Sequence, residues 1–327
     1  MIAEEEMVLT ITHNGYIKRT SLSTYRSQRR GGRGVQGASS REEDFVEHLF
    51  VANTHSYILF FTDKGKCYWV KVYDIPEGGR AAKGRAIVNL IGCEPDEKVS
   101  AFISVKEFND DHYVVMATEK GMVKKTKLSA YSNPRKKGIY AVEIRDGDKL
   151  IEARVSTGDN DILLGTRNGK SIRFSEEQIR ASGRKTMGVK GITLSSEDDR
   201  LVGMLLIKRE GTVLVATEKG FGKRTEISQY RAQKRGGKGV LTMKTTDKVG
   251  KMVTIKEVVD KDDLMIITNQ GVLIRLPVAQ IRSIGRATQG VKLIKLGEGT
   301  LVSSITRIMS EEEEDENNNT ESTETKE

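Results

Sequence analysis

Short runs of apolar and β-branched residues alternate with polar turns along the chain, and no segment shows the sustained 3.6-residue period of an amphipathic helix. Each of six such runs ends in threonine, and two polar residues and a glycine follow it. A β-rich run, a short polar turn with glycine and a second strand-like segment predict a β-hairpin. The predicted first strands are Val8–Thr12, Tyr57–Thr62, Tyr113–Thr118, Ile162–Thr166, Val213–Thr217 and Leu264–Thr268.

The turn glycines define a repeat whose period is 50, 56, 48, 51 and 51 residues, which is typical of propeller blades. They are Gly15, Gly65, Gly121, Gly169, Gly220 and Gly271. A second glycine follows each of them by 17 or 19 residues and ends a loop rich in lysine and arginine. A third apolar run then completes a unit of about four strands. These third runs are Val46–Val51, Val99–Ser104, Leu150–Val155, Leu201–Leu206, Met252–Val258 and Leu301–Thr306.

Six such units predict an all-β fold, a propeller-like disc or shallow spiral of six four-stranded blades, because blades that pack on their neighbours protect their sheet edges. We expect residues 7–309 to form this domain and residues 1–6 to be a linker remnant. Residues 310–327 are acidic and lack apolar side chains, so we expect a disordered tail. Since the basic loop recurs at one place in each unit, its cations are expected to line one rim.

The charge of the chain is unevenly distributed. The formal net charge is +8, but residues 311–327 hold nine acidic residues and one lysine, and residues 1–310 hold 53 lysines and arginines against 37 acidic residues. A body of net charge +16 with an acidic tail favours nucleic acid as the partner, and no basic amphipathic helix supports a membrane role. The tail is either a solubilising end or a regulator that competes with DNA for the basic rim.

Two glycine-rich basic segments stand out, and both are interpreted as clamps for a polyanion, with a solvated basic loop as the alternative. Glycines let a backbone approach a surface closely, and guanidinium groups suit phosphate oxygens. The first segment consists of Gln28, Arg29, Arg30, Gly31, Gly32, Arg33 and Gly34, and Gln233–Gly239 is a weaker copy. The other predicted DNA-contacting residues are Arg19, Arg26, Arg80, Lys83, Arg85, Lys125, Arg135, Lys136, Lys137, Arg173, Arg184, Lys185, Arg224, Arg231, Lys234, Arg235, Lys238, Arg275, Arg282 and Arg286.

Five of these cations occupy one repeat position, four residues after the turn glycine, where the second repeat has Trp69 instead. We expect Trp69 to pack in the core rather than to contact DNA. Aromatic residues make up only 6% of the chain, whereas single-strand binders place aromatic platforms among their cations. Duplex DNA held by its backbone, with little base readout, is therefore the predicted ligand.

Catalytic and metal-binding patterns are absent from the sequence. The chain has no Walker loop, G-x-S-x-G or H-E-x-x-H motif, and its four histidines have no ligand spacing with Cys67 and Cys93. We expect the two cysteines to be reduced core thiols of a cytoplasmic protein. The pattern predicts a binding module with neither catalytic residues nor a metal site.

Residues 28–34 closely resemble the gyrase A box, the signature of the C-terminal domain of DNA gyrase A. Arg33 stands where that family usually has lysine, which preserves the charge. The six repeats from about Met7 to Met309, with Arg286–Val291 near their end, look like the same domain. This resemblance implies a six-bladed β-pinwheel with strands exchanged between blades, which wraps duplex DNA with positive handedness and so supports ATP-dependent negative supercoiling.

The resemblance also implies partners outside this chain: the remainder of gyrase A, together with gyrase B, in an A2B2 holoenzyme. The active-site tyrosine, the DNA gate, ATP and Mg would belong to those parts, and the isolated domain would be a monomer without a cofactor in the nucleoid-associated cytoplasm. One alternative is the equivalent domain of topoisomerase IV, which lacks an intact box and does not supercoil. Alternatives of other classes are a protein-interaction propeller and an RGG-type RNA binder.

Overall fold

The computed structural model describes residues 2–21, 44, 46–79, 82–208, 211–270 and 272–308. Each repeat contributes a hairpin and a third strand that pairs with the first strand of the hairpin. The first strands are β1 (Glu6–Thr12), β4 (Tyr57–Thr62), β8 (Tyr113–Thr118), β12 (Asp161–Thr166), β16 (Thr212–Thr217) and β20 (Asp263–Thr268). The second strands are β2 (Tyr16–Ser21), β5 (Lys66–Lys71), β9 (Met122–Lys127), β13 (Lys170–Ser175), β17 (Phe221–Glu226) and β21 (Leu273–Pro277). The third strands are β3 (Val46–Asn53), β7 (Val99–Val105), β11 (Leu150–Ser156), β15 (Leu201–Ile207), β19 (Met252–Val258) and β23 (Val302–Ile308).

The fourth strand of each of the first five sheets is only two residues long and comes from the following repeat. The short strand β6 (Arg85–Ala86) joins the first sheet, whose order is β3-β1-β2-β6: Tyr16 pairs with Ala86 and Ile17 with Arg85. This arrangement confirms the exchange of strands that the family resemblance implied. The described part of the sixth sheet has three strands, in the order β21-β20-β23. The short strands are β6 (Arg85–Ala86), β10 (Ile139–Tyr140), β14 (Val189–Lys190), β18 (Val240–Leu241) and β22 (Val291–Lys292).

Helix is nearly absent, as the lack of 3.6-residue periodicity predicted. Within the described ranges the one α-helix is α1 (Ile87–Ile91), which ends at Gly92 with a φ of 61°. A single 3-10 turn follows the second strand in five repeats and redirects the chain away from the hairpin. These turns are Val72–Asp74, Leu128–Tyr131, Glu176–Gln178, Ile227–Gln229 and Val278–Gln280.

The first strands are inner strands of their sheets, and β4 and β16 have a hydrophobic cluster on each face. On β4, Phe60 packs in a cluster with residues of the first sheet, and Phe61 packs in a cluster with residues of the third. Both side chains have no exposed surface. On β16, Leu214 and Val215 divide in the same way between two clusters. Successive side chains of a strand point to opposite faces. Because both faces are buried here, every position inside the run is apolar.

The described contacts form two compact units. One comprises Met1–Asn160 and Ser175–Gly191, and the other comprises Asp161–Phe174 and Ile192–Glu327. Ser175–Gly191 belongs to the first unit because its strand β14 pairs with β9 of the third sheet. The predicted domain limits, including the linker at residues 1–6, stay predictions, and the tail at residues 310–327 lies outside the described residues.

Candidate nucleic-acid interface

The basic loops of the sequence connect the 3-10 turn of one repeat to the short strand that it adds to the preceding sheet. We call these segments, residues 75–84, 132–138, 179–188, 230–239 and 281–290, the connector loops; residues 80 and 81 are not described. Backbone hydrogen bonds fix where the loops begin. The carbonyl of Arg224 accepts from the amide of Ile284 at 2.8 Å, and that of Arg173 accepts from the amide of Gln233 at 2.8 Å. The two loops are thus bonded to the same position on the second strand of the preceding sheet.

The last residue of each connector loop is a glycine for a steric reason. Gly188 has a φ of 78°, and a Cβ atom there would lie 2.3 Å from the carbonyl oxygen of Val123. At Gly239 the corresponding distance, to the oxygen of Ser171, is 2.4 Å. Only glycine combines a positive φ with so close an approach to another backbone. The second glycine of the sequence repeat is therefore the point at which the chain enters the exchanged strand.

Most predicted cations on the described connector loops have exposed side chains. Because the loops occupy equivalent positions, each repeat from the second to the sixth carries such a group on its connector loop. Exposed lysine and arginine side chains can contact phosphate oxygens without first losing contacts within the fold. The exposed members are Lys83, Arg135, Lys136, Lys137, Lys185, Arg231, Lys234, Lys238 and Arg282, with Arg85 on the adjoining short strand β6.

The second basic-glycine segment, Gln233–Gly239, forms an ordered turn. The amide of Thr193 donates to the oxygen of Gly237 at 2.9 Å, and the hydroxyl of Thr193 donates to the oxygen of Gly236 at 2.7 Å. Lys234 is exposed, while Arg235 is half-buried. The first segment, residues 28–34, lies outside the described residues, as do Arg26 and Arg80, so their contact with DNA stays a prediction.

The cations at the fourth position after the turn glycine are engaged within the fold. Arg19 forms an ion pair with Glu77 at 2.9 Å, and Arg173 with Asp161 at 2.7 Å. Arg275 pairs with a carboxylate at 2.6 Å. A phosphate would reach these groups only in competition with their carboxylates, so a DNA contact at this position stays a prediction.

Two members of this position are buried. Lys125 donates to the oxygen of Glu176 at 3.2 Å, and Arg224 is only 9% exposed and pairs with Asp260. In the second repeat Trp69 packs on the core cluster that contains Tyr131, as expected from the sequence. Lys125 and Trp69 therefore link their sheets to the 3-10 turn of the following repeat, through the carbonyls of Glu176 and Tyr131.

Three lysines lie one residue before the position just described. They were not among the predicted DNA contacts, although they recur at one position of the repeat. They are Lys18, Lys124 and Lys223, at the third position after the turn glycine in the first, third and fifth repeats. Lys124 is 1% exposed and Lys223 has no exposed surface. Burial lowers the pKa of Lys124 to about 7 and that of Lys223 to about 8, with a smaller contribution from Arg184 and Arg286 respectively.

Groups that could bind a metal or cross a membrane are lacking in the described ranges. These ranges contain no cluster of three or more histidine, cysteine, aspartate or glutamate residues able to hold a metal ion. They likewise contain no helix long and apolar enough to cross a membrane. Cys67 is a buried free thiol, and Cys93 is free and half-buried.

Comparison with known families yields one that matches all six repeats. The family described as "DNA gyrase C-terminal domain, beta-propeller" matches residues 6–53, 56–106, 112–157, 160–208, 211–258 and 262–308. The DNA gyrase A protein of Staphylococcus epidermidis is 47% identical over 315 residues, which cover 95% of this chain and 35% of the relative. The protein of the same name from Staphylococcus aureus is 46% identical over 328 residues, or 99% of this chain and 37% of the relative. The chain thus spans about a third of the curated relatives that it matches.

Two solved structures share the fold over most of the chain. The C-terminal domain of DNA topoisomerase IV superposes with a TM-score of 0.84 at 27% identity and covers 95% of both chains. The DNA gyrase A C-terminal domain superposes with a TM-score of 0.70 at 23% identity and covers 93% of this chain and 100% of that one. The second likeness concerns the fold alone, because the sequence identity is low.

Proposed function

The chain belongs to the DNA gyrase C-terminal domain family, and from this premise we propose that it binds duplex DNA by the phosphate backbone and bends it across the connector loops. The observation that carries the proposal is the recurrence of exposed cations on equivalent loops of successive sheets. Phosphate contacts from repeated, sequence-independent positions provide affinity without base readout.

Two of the tyrosines near the connector loops support a duplex rather than a single-stranded ligand, whereas a third, Tyr140 on β10, is 52% exposed. Tyr131 and Tyr230 lie at the starts of two loops, but both are buried, at 0% and 1% exposure. The Tyr230 hydroxyl is within 2.7 Å of the Thr242 hydroxyl, which keeps the ring in the core. These rings cannot serve as stacking platforms for unpaired bases, which single-strand binding requires.

Wrapping is the finer part of the proposal and requires many contacts. Bending roughly 40 bp through about 180° costs on the order of 10 kcal/mol for DNA with a persistence length of ~150 bp. One loop with two or three cations cannot supply this energy, whereas cations on several sheets can, each with a salt-dependent contribution. The box at residues 28–34 would then be an anchor that fixes where the wrap closes.

Within a whole gyrase, we propose that this wrap gives the enzyme its ATP-dependent negative supercoiling. The chain would supply no catalytic residue. ATP, Mg, the DNA gate and the cleaving tyrosine would lie in the rest of gyrase A and in gyrase B, within an A2B2 holoenzyme. Its substrate, chromosomal DNA, would place it in the bacterial cytoplasm.

Topoisomerase IV offers a second candidate function, DNA binding without supercoiling. The observation that favours it is the TM-score of 0.84 with the C-terminal domain of that enzyme. Against it stand the family match over all six repeats and the 46–47% identity to two gyrase A proteins. We therefore propose the gyrase role and treat the alternative as an outcome of the topological experiment below.

Binding to a fluorescent duplex across a salt titration tests the basic proposal. We expect a steep salt slope, and Lys185→Ala, Lys234→Ala and Lys238→Ala should each reduce it by about 1 if each residue contacts one phosphate. Lys120→Ala and Lys219→Ala are matched controls, because these exposed lysines lie on hairpin turns rather than on connector loops. Equal losses in both sets would mean that net charge, not the loops, determines binding.

A further inference from the structure

Lys124 extends from β9 beneath the third connector loop, and its ammonium group is surrounded by oxygens. Its Nζ donates to the Thr126 hydroxyl at 2.8 Å, to the Ala141 carbonyl at 2.6 Å and to the Arg184 carbonyl at 3.1 Å. An ammonium group has three N–H donors and no acceptor, so three oxygens match it fully. One of them is the backbone oxygen of a predicted DNA-contacting arginine.

Lys223 repeats this arrangement on β17. Its Nζ donates to the Gly285 carbonyl at 2.9 Å, to the Arg286 carbonyl, and to the hydroxyl of Thr288 at 3.0 Å. All three residues belong to one connector loop, and Arg286 is again a predicted DNA-contacting residue. The Thr288 hydroxyl also donates to the Gly285 carbonyl at 3.0 Å, which closes the turn around the ammonium group.

Lys18 gives a third, more exposed example. Its Nζ donates to the Gly79 carbonyl at 3.0 Å and to the Ala82 carbonyl at 2.9 Å, on the two sides of the segment that contains Arg80. Three repeats that diverge elsewhere thus place a lysine in contact with connector-loop carbonyls. The same contact at the equivalent loop of three repeats is not explained by chance packing.

The fold itself does not require this lysine. The fourth repeat has Ile172 at the same position, with no exposed surface, and the second has Tyr68. Burying an ammonium group costs free energy, and the lowered pKa of Lys124 and of Lys223 reflects that cost. An apolar residue would fill the site without this cost. The benefit of lysine is therefore that its ammonium group binds the carbonyls of the connector loop.

We propose that Lys124 and Lys223 are positioning residues for DNA binding: each fixes the backbone of an arginine-bearing connector loop so that its cations are presented to phosphates in one arrangement. This inference rests on the proposed function. Without the ammonium group, the loop carbonyls lose their partner and can turn toward water, so the loop must be ordered when DNA binds. Ordering a loop on binding lowers affinity even when every contact residue is present.

The test uses the full chain with Lys124→Met and Lys223→Met, which keep the length of the side chain and remove the donors. Ile172→Met is the matched control for methionine at this position. Three quantities are measured: the thermal midpoint, amide exchange in residues 183–188 and 285–289, and the affinity for a fluorescent duplex with its salt dependence. Lys223→Ile, which copies the fourth repeat, is the second variant if Lys223→Met does not fold.

We expect the thermal midpoint of the lysine variants to be unchanged or raised, amide exchange to accelerate in the altered loop only, and duplex affinity to fall about tenfold in the double variant. Unchanged loop exchange, or unchanged affinity with faster exchange, would overturn the positioning role. A loss of affinity that only parallels a lower thermal midpoint would do so as well, since that outcome indicates a purely structural lysine. If the unaltered chain itself fails to bind duplex, the proposed function fails, while loop exchange still tests whether the lysines order the loops.

Discussion

The indole nitrogen of Trp69 donates a hydrogen bond of 2.8 Å to the backbone oxygen of Tyr131. Arg224 donates from Nε to the oxygen of Ile281, also at 2.8 Å, and Ile281 holds the same repeat position as Tyr131. Four of the six residues at this repeat position therefore donate to the carbonyl that lies ten residues after the turn glycine of the next repeat, and a positive charge is not required for this bond; the four are Arg19, Trp69, Arg173 and Arg224. A tryptophan can replace an arginine here because both supply an N–H group.

Trp69→Phe should destabilise the fold without weakening DNA binding. The change leaves the Tyr131 carbonyl without its donor, and an unsatisfied buried acceptor costs roughly 1–3 kcal/mol. Urea denaturation measures this loss, and duplex affinity well below the unfolding midpoint measures binding. Trp69→Arg, which copies the first and fifth repeats, is the control that supplies a donor again and should recover part of the stability.

Replacement of Arg224, on β17, should affect stability, whereas replacement of Arg282, on the connector loop of residues 281–290, should affect DNA binding. Arg224 is 9% exposed and bonded to Ile281 and Asp260, whereas Arg282 is exposed. We expect Arg224→Met to lower the free energy of unfolding by about 1–3 kcal/mol. Arg282→Met should leave stability unchanged and reduce duplex affinity and its salt slope. The reverse pattern, measured by denaturation and anisotropy, would show that Arg224 is the phosphate contact.

The pH dependence of stability should report on Lys124. Burial lowers its pKa from 10.5 to about 7, so between these values the folded chain binds fewer protons than the unfolded chain. The free energy of unfolding should therefore rise with pH across this window, by up to about 1.4 kcal/mol per pH unit from this residue, and be insensitive to it below.

Lys124→Met is the control for this pH effect. The difference between the unaltered chain and the variant, measured by urea denaturation at pH values of about 6, 7.5 and 9, isolates the lysine from other titrating groups. We expect the unaltered chain to gain stability relative to the variant as pH rises. A difference that stays constant would mean that Lys124 remains charged throughout.

Replacing Arg29, Arg30 and Arg33 by alanine should leave the fold intact. We expect this variant to lose wrapping and, within the assembled enzyme, negative supercoiling, while relaxation or decatenation partly survives. Circular dichroism checks the fold, and a supercoiling assay on relaxed plasmid checks the function. Full supercoiling by the variant would contradict the role of the box as an anchor.

The sequence predicted the repeat because its signals are local. The turn glycines, such as Gly65, and the apolar first strands, such as Tyr57–Thr62, follow from hairpin geometry and from central position in a sheet. The exchanged strands were not visible, since two residues such as Val240–Leu241 carry no periodicity. The exchange entered the expectations only through the family resemblance.

The candidate site was predictable only in part. Glycines and basic residues mark the connector loops in the sequence, and Lys185 and Lys234 are exposed on these loops, while their contact with DNA stays a prediction. The inward direction of Arg173 and the burial of Lys124 depend on tertiary contacts with Asp161 and with the Arg184 carbonyl, which lie 12 and 60 residues away along the chain. Residue type alone does not distinguish a cation that holds a loop from one that contacts a ligand.

The most direct test of the account is topological. A nicked circular DNA is sealed by ligase in the presence of the full chain, the protein is removed, and the sign and size of the linking difference are read on gels. Wrapping with positive handedness predicts a positive linking difference that grows with the amount of bound protein. A linking difference of zero with DNA fully bound, or a negative one, would contradict the central claim that this chain wraps DNA as gyrase requires.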